Sequence, residues 1–408
     1  MTHGLSFAEK VLSANSGRSV DAPARAGDIV VCEPDLVLGT DGSTPMALDY
    51  FEAMGGGPVR HPGRVLLARD HYSPPTSEAT RGFHARMAAF ADAQGVELLP
   101  VGGGISFLVA LEQGRIRPGD LVVGGDSHTV TAGAVGAFGT GVGSSDLAGA
   151  FKTGKVWLRV PETVRVSLEG SLPVGVTAKD LALELVARLA TRVGPFTALE
   201  FVGSGAESLD SGDRALIANM SAEMGAMAGV FPHEAHASDA DAIVSDSLVL
   251  DLSELESLVA LPHDPGNLVP LAEALGREVD WVFLGTCAGG QPRDFREALS
   301  VLRARGGIAS GVTVVAAPPT AAVRAALEAD GTLAGLVGVG VVFAETGCGP
   351  CCGTSGPLPP AGARVISTAN RNFRARMGEA SIEITLASPA VCAAAATAGR
   401  IVDPREGL

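Results

Sequence analysis

The sequence predicts an α/β fold built in three successive units, and three observations carry that reading. Short β-branched or Leu-rich runs alternate with helix-period segments along the chain. Several apolar runs feed straight into polar loops, as at the ligand-facing edge of a parallel sheet. The chain has 408 residues, 46% of them hydrophobic and 18% charged, enough for two or three packed cores. Breaks are expected at Pro161-Glu162 and before Val279, giving units 1–160, 161–276 and 277–408.

In the first unit, Leu5, Ala8, Val11 and Leu12 recur at helical spacing and read as a short amphipathic helix. Residues 28–31 and 36–38 are strand candidates. A loop over 39–45 follows, then a helix over 46–54 with Ser43 or Thr44 as its cap. Strand 64–68 runs into Asp70-His71, and Tyr72-Ser73-Pro74-Pro75 stops any regular element. A helix over 78–94 and a strand over 96–101 come next. Strand 121–123 then leads into Gly125-Asp126-Ser127-His128-Thr129. The Gly-rich stretch 133–143 lacks the G-x-G-x-x-G spacing and an acidic ribose partner. Close backbone packing is the reading there, not nicotinamide binding.

The second unit opens with the alternating strand Val164-Arg165-Val166-Ser167-Leu168, and Thr177 with Asp180 caps a helix over 181–190. A helix over 213–225 sets Asn219 and Glu223 four apart on one face. The third unit has a strand ending in Trp281-Val282-Phe283-Leu284, a helix over 291–305, a strand over 312–315 and a helix over 321–328.

Composition excludes several functions. The net charge of −15 argues against nucleic acid, which needs a basic face. An anionic substrate would need locally clustered arginines. Six cysteines in a chain this long are no disulfide framework. No signal-type core or membrane-spanning run is present, so the expectation is a soluble cytoplasmic protein.

The chemistry concentrates in Gly347-Cys348-Gly349-Pro350-Cys351-Cys352-Gly353, read with Gly285-Thr286-Cys287 at a strand end. Three thiolates on two loops can hold an iron–sulfur cluster. Clusters of the 4Fe–4S type usually have a cysteine on every iron. Three cysteines would leave one iron open to a substrate oxygen. The spacing equally suits half of a zinc site or a redox pair. Zinc would want a fourth Cys or His, and His263 is the only histidine after residue 236. A redox pair would open a helix, and no helical pattern follows Cys351. Cys32 and Cys392 read as buried, inert thiols. Cys352 is not counted as a ligand, because its neighbour takes the motif position.

The cysteines are followed by Thr368-Ala369-Asn370-Arg371-Asn372-Phe373-Arg374-Ala375-Arg376. With Asp70-His71, Gly125-Asp126-Ser127-His128-Thr129 and Asn219-Met220-Ser221-Ala222-Glu223, in order and over nearly the whole chain, they resemble the aconitase superfamily. The resemblance is especially to its branch of 3-isopropylmalate dehydratase and homoaconitase large subunits. The resemblance implies three α/β/α domains around a central cleft, with Cys287, Cys348 and Cys351 holding a 4Fe–4S cluster. It implies that His71 protonates the leaving hydroxyl and Asp70 orients it. Hydroxide leaves poorly, and imidazolium is an acid usable near neutral pH. Asp126, His128 and Glu223 fall in the implied catalytic shell. Thr40, Ser43, Ser127, Asn219, Asn370, Arg371 and Arg376 fall on the implied substrate side, where guanidinium forks suit carboxylates. On residue type alone these are caps, polar faces and surface salt bridges.

The implied reaction is loss and re-addition of water on a hydroxylated di- or tricarboxylic acid such as 3-isopropylmalate. The family's serine base and further arginines belong to a swivelling domain, which this branch supplies as a separate small subunit. That subunit is the expected partner. A specialised-metabolism hydratase or isomerase with another malate-type substrate is one alternative, and a non-catalytic cluster-bearing sensor or scaffold is another. Two departures bear on this. Phe107 stands where relatives usually carry a histidine that pairs with Asp126, so Asp126 needs another donor. Ala288-Gly289 follows Cys287 where Thr-Asn is usual. Both remove polar groups and spare the cysteines, which favours a retuned substrate preference over an ordinary leucine-pathway enzyme that tolerates both changes.

Overall fold

The computed structural model describes residues 3–19 and 21–406. Among these residues the strands form three larger sheets and one two-stranded ribbon. The first sheet has the spatial order Glu97–Leu98, Val65–Ala68, Leu36–Thr40, Leu121–Gly124, Phe138–Gly141, all parallel. The second has Ala228–Val230, Thr197–Val202, Glu162–Glu169 and Asp246–Asp251, again parallel. In the third sheet Glu383–Leu386, Arg364–Ser367, Trp281–Gly285, Thr313–Ala317 and Val342–Phe343 run parallel. Leu258–Ala260 and Leu268–Pro270 extend it antiparallel. These two strands therefore join the third sheet, not the second unit in which a break at 276 would leave them. The ribbon pairs Ile29–Cys32 with Val156–Arg159.

Parallel strands covered on both faces are apolar along their whole length. Leu36–Thr40 and Trp281–Gly285 are buried at every position. With few aromatics, the cores are packed largely from Val, Leu and Ala. Helix starts follow their caps. Ser6 and Glu9 form a capping box for Phe7–Asn15, and Thr177 and Asp180 form the expected one for Ala178–Leu189.

Three elements differ from expectation. The helix expected over 213–225 is Ser211–Met220. Ser221 Oγ bonds back to Ile217 O at 3.2 Å, and Gly225 at φ 85° closes an irregular turn. Glu223 sits in that turn, so it and Asn219 do not share a continuous helical face. The strand expected over 96–101 shrinks to Glu97–Leu98, because a tight turn closes between Pro100 O and Gly103 N at 2.9 Å. The helix Thr44–Ala53 begins earlier than predicted, with Pro45 in its first turn. Ser43 is its N-cap residue but makes no cap bond. Its Oγ lies 3.2 Å from Thr40 Oγ1.

The Gly-rich stretch packs as predicted. A Cβ at Gly139 would lie 2.3 Å from Thr129 O. The carboxyl ends of adjacent parallel strands present the polar loops together, as open α/β sheets do. Leu36–Thr40 leads to Asp41, Val65–Ala68 to Asp70-His71, and Leu121–Gly124 to Asp126 and His128. Trp281–Gly285 leads to Cys287, and Arg364–Ser367 to Asn370.

Candidate active site

Asp70 is fully buried, and its Oδ1 lies 2.8 Å from His71 Nδ1. Its other oxygen accepts the Ser106 amide at 3.1 Å. Asp41, also buried, accepts the amides of His71 and Tyr72 at 2.9 and 3.0 Å. It also meets His84 Nε2 at 2.7 Å. His71 is thus held at its backbone and at Nδ1, which leaves Nε2 facing Asp126 Oδ2 at 3.6 Å. Burial works against charge on His71. Asp70 and then Asp126 outweigh it and hold the imidazolium well above the ordinary histidine range.

The second histidine is built around a capped turn. Asp126 caps the 3₁₀ segment Ser127–Val135 by accepting the His128 amide at 2.8 Å, with His128 Nδ1 3.4 Å away. His128 Nε2 lies 3.0 Å from Glu223 Oε1 and 2.8 Å from Asn370 Nδ2. Burial again opposes the charge, and Glu223 with Asp126 raises this imidazole to about 9. Burial alone would raise Asp126; the two histidines reverse this and hold it below the usual carboxylate range. Arg371 Nε donates to Glu223 Oε1 at 2.6 Å and Nη2 to Ser127 Oγ at 2.9 Å. Glu223 Oε2 is buried without a hydrogen-bond partner among the described residues.

Two of the three motif cysteines meet at Asn370. Its Nδ2 lies 3.4 Å from Cys287 Sγ and its Oδ1 3.7 Å from Cys351 Sγ. Nδ2 also reaches Asn219 Oδ1 at 3.2 Å, and Asn219 in turn donates to Thr131 Oγ1 at 3.0 Å. Cys348 and Cys287 pack against one apolar cluster that includes Phe107. All six cysteines are free thiols. Burial pushes the Cys287 and Cys348 thiols up, as it does those of Cys32 and Cys392, so a metal bound there would have to displace their protons. Arg376 Nη2 lies 3.8 Å from Cys351 Sγ. Cys352 points elsewhere, to Thr354 Oγ1 at 2.8 Å.

Four zinc–sulfur bonds of about 2.3 Å would bring sulfurs within about 3.8 Å of one another. Among the described residues, Asp41, Asp70 and His71 are the set of ligand-type side chains whose donor atoms all lie within 4.8 Å. The three motif thiols are not such a set, so they are not drawn in around one ion as a structural zinc would need. The carboxylates of Asp41 and Asp70 are already taken by N–H donors.

The Aconitase family (aconitate hydratase) profile matches residues 9–239 and 233–399. The chain belongs to the aconitase family. It is 38% identical to the 3-isopropylmalate dehydratase large subunit 1 of Methanopyrus kandleri, over 99% of this chain and 100% of that protein. It is 40% identical to the homoaconitase large subunit of Thermus thermophilus, over 99% and 98%. It is 39% identical to the 3-isopropylmalate dehydratase large subunit 2 of Rubrobacter xylanophilus, over 99% and 98%. Among solved structures, the holo-form of Thermococcus kodakaraensis aconitase X matches with a TM-score of 0.53. That match covers 86% of this chain and 88% of that one at 15% identity, a likeness of fold alone. As a member of the aconitase family the chain is a hydro-lyase. No helix among its described residues is long and apolar enough to cross a membrane.

In this aconitase-family chain, Asp70, His71, Asp126, His128, Ser127, Glu223, Arg371, Asn219, Asn370 and the three cysteines form one connected set. Thr40 and Ser43 stand beside it. A Cβ on Gly42 would lie 3.6 Å from both Thr40 Oγ1 and His71 Cγ, and one on Gly125 would meet Ser43 Oγ. Asp126 does not lack partners despite Phe107, since it takes the His128 amide and faces two imidazoles. Arg371 is engaged by Glu223 and Ser127 within the site, so it is no surface salt bridge. Sequence reasoning did not find His84. Its partner Asp41 lies 43 positions away, and a single histidine on a helix gives no signal.

Proposed function

We propose that this chain is the cluster-bearing large subunit of a 3-isopropylmalate dehydratase or homoaconitase-type enzyme, acting on a small substituted malate. The observation that carries this is the Asn370 amide, which touches His128, Cys287 and Cys351 at once. It gathers an imidazole and the thiol set at one point. The names of the relatives support the large-subunit reading and a small-subunit partner carrying the swivelling domain. We also propose three domains around a central cleft, 1–160, 161–257 and 258–408, the last boundary moved from 276 because Leu258–Ala260 and Leu268–Pro270 belong to the third sheet, and a cytoplasmic location.

Cys287, Cys348 and Cys351 would hold a 4Fe–4S cluster. When bound, such a group with one open iron supplies a Lewis acid for the substrate hydroxyl. The rest falls to side chains. Asp70 fixes Nδ1–H of His71, which leaves Nε2–H as the proton delivered to the departing hydroxyl. Asp126 stays ionised and stabilises that imidazolium. Glu223 and Ser127 hold Arg371 with its guanidinium plane set for a substrate carboxylate. Arg376, beside Cys351, is the second candidate carboxylate anchor, and Thr40, Ser43 and Asn219 line the substrate side. The base for the carbon-bound proton would come with the small subunit.

A second reading, a related malate other than 3-isopropylmalate, is favoured by one packing fact. A Cβ on Gly289 would lie 2.4 Å from Thr368 Cβ, so the side chain usual in relatives has no room here. The anaerobically reconstituted pair, assayed against a panel of 2- and 3-substituted malates, tests both readings. Turnover of none of them would sink the hydro-lyase assignment for this class. Turnover of 3-isopropylmalate at least as efficient as of every other compound would remove the second reading.

A further inference from the structure

Lys179 is a buried cation that the mechanism above leaves unused. It lies in the first turn of the helix Ala178–Leu189 and is 1% exposed. A positive charge there works against the helix dipole, whose N-terminal end favours anions. Its Nζ donates to the main-chain oxygens of Thr368 at 3.0 Å and Ala369 at 2.7 Å. The next residue is Asn370, on which His128, Cys287 and Cys351 converge. A helix of the second sheet thus pins the loop of the third that organises the site. Lys179 also lines a cavity of about 410 Å³ together with Ala288 and Gly289, the two residues after Cys287.

A buried ammonium held by carbonyl dipoles alone is costly without a negative charge to balance it. Burial pulls Lys179 down to about 8, while Cys392, Glu223, Cys287 and Cys351 pull the other way. Two of the three motif cysteines therefore lie within its electrical reach. We propose that Lys179 is a positioning residue for the thiol set: it fixes Asn370 against Cys287 and His128 and supplies the positive charge that balances the thiolates once they hold iron. This rests on the cluster reading above.

The test uses the full-length chain purified without oxygen. Iron and sulfide are measured first, then the midpoint potential of the bound cluster. A nearby positive charge favours the reduced, more negative state. Lys179→Met and Lys179→Gln should therefore hold iron at a more negative potential. About a tenfold change in the reduction equilibrium is expected, about 59 mV for one electron. Lys179→Arg, which keeps the charge, should restore the wild-type value. Gln retains a donor for the carbonyls and carries the test if Met does not fold. Charge-free variants with wild-type potential and only lower thermal stability would overturn the proposal, leaving Lys179 a structural strut. A wild-type chain without iron or sulfide would overturn the cluster reading and this proposal with it.

Discussion

The amide of Cys348 donates to the main-chain oxygen of Asp70 at 2.9 Å. Asp70, the partner of the His71 imidazole, and a motif cysteine are thereby one hydrogen bond apart, although their loops leave different sheets. Ser73 Oγ adds a second tie, to Thr346 O at 3.2 Å, and Thr354 Oγ1 a third, to His71 O at 2.6 Å. An imidazole and a thiol set locked together in this way would suit the proposed dehydration, in which a hydroxyl is protonated where it is bound.

His71→Gln should lower kcat by about 10²–10⁴-fold, the usual contribution of a general acid. The visible spectrum of the anaerobic protein should stay unchanged. Steady-state kinetics with the small subunit present checks this, and near-normal kcat would remove His71 from the role.

Arg371→Lys should raise KM about tenfold or more, because an ammonium cannot serve Glu223, Ser127 and a substrate carboxylate in one plane. An unchanged KM would show that carboxylate binding lies elsewhere, with Arg376 the next residue to vary.

Stability should fall on the alkaline side. His128 is raised from 6.5 to about 9 in the folded chain. Its contribution is complete below about pH 6.5 and is lost as pH rises through about 9. It amounts to about 3 kcal/mol at most. His71, held up in the same direction, adds to the fall. Urea midpoints between pH 6 and 10 should decline in wild type and flatten in part in His128→Asn. Equal slopes in the two would contradict the assignment.

Gly289→Asn should destabilise the chain by about 1–3 kcal/mol, as overpacking does, because its Cβ is forced against Thr368 although the residue also borders a cavity. The new Cβ meets the Thr368 side chain and carbonyl, and Thr368 Oγ1 already accepts the Gly285 amide at 2.9 Å. A thermal melt reads this directly. An unchanged Tm would mean the loop yields freely and that Gly289 says nothing about substrate.

Much of the site was legible because its groups lie just beyond strand ends. Asp70-His71, Asp126-His128 and Cys287 each follow an apolar run whose length and direction the sequence shows. Local pattern could not place groups whose partners are distant. Glu223 was assigned to a helix by spacing, but Ser221 bends the chain out of it, and Glu223 reaches His128 from a turn. The loop over 39–45 shows nothing of how Asp41 is held, since its buried carboxylate is fixed by His84 and two amides of another loop. No local pattern singles out Lys179. Its carbonyl partners are 189 and 190 positions away, a pairing only the folded chain reveals. Phe107 left Asp126 in need of another donor, and the His128 amide of its own cap is one.

The central claim is that Cys287, Cys348 and Cys351 alone hold a cluster in this chain. Iron and acid-labile sulfide per chain, measured after anaerobic purification of six single Cys→Ser variants, test it most directly. The account predicts loss of both in Cys287→Ser, Cys348→Ser and Cys351→Ser, and wild-type content in Cys32→Ser, Cys352→Ser and Cys392→Ser. Stoichiometric zinc in place of iron in the wild type, or retention of full iron and sulfide by any of the first three variants, would contradict it.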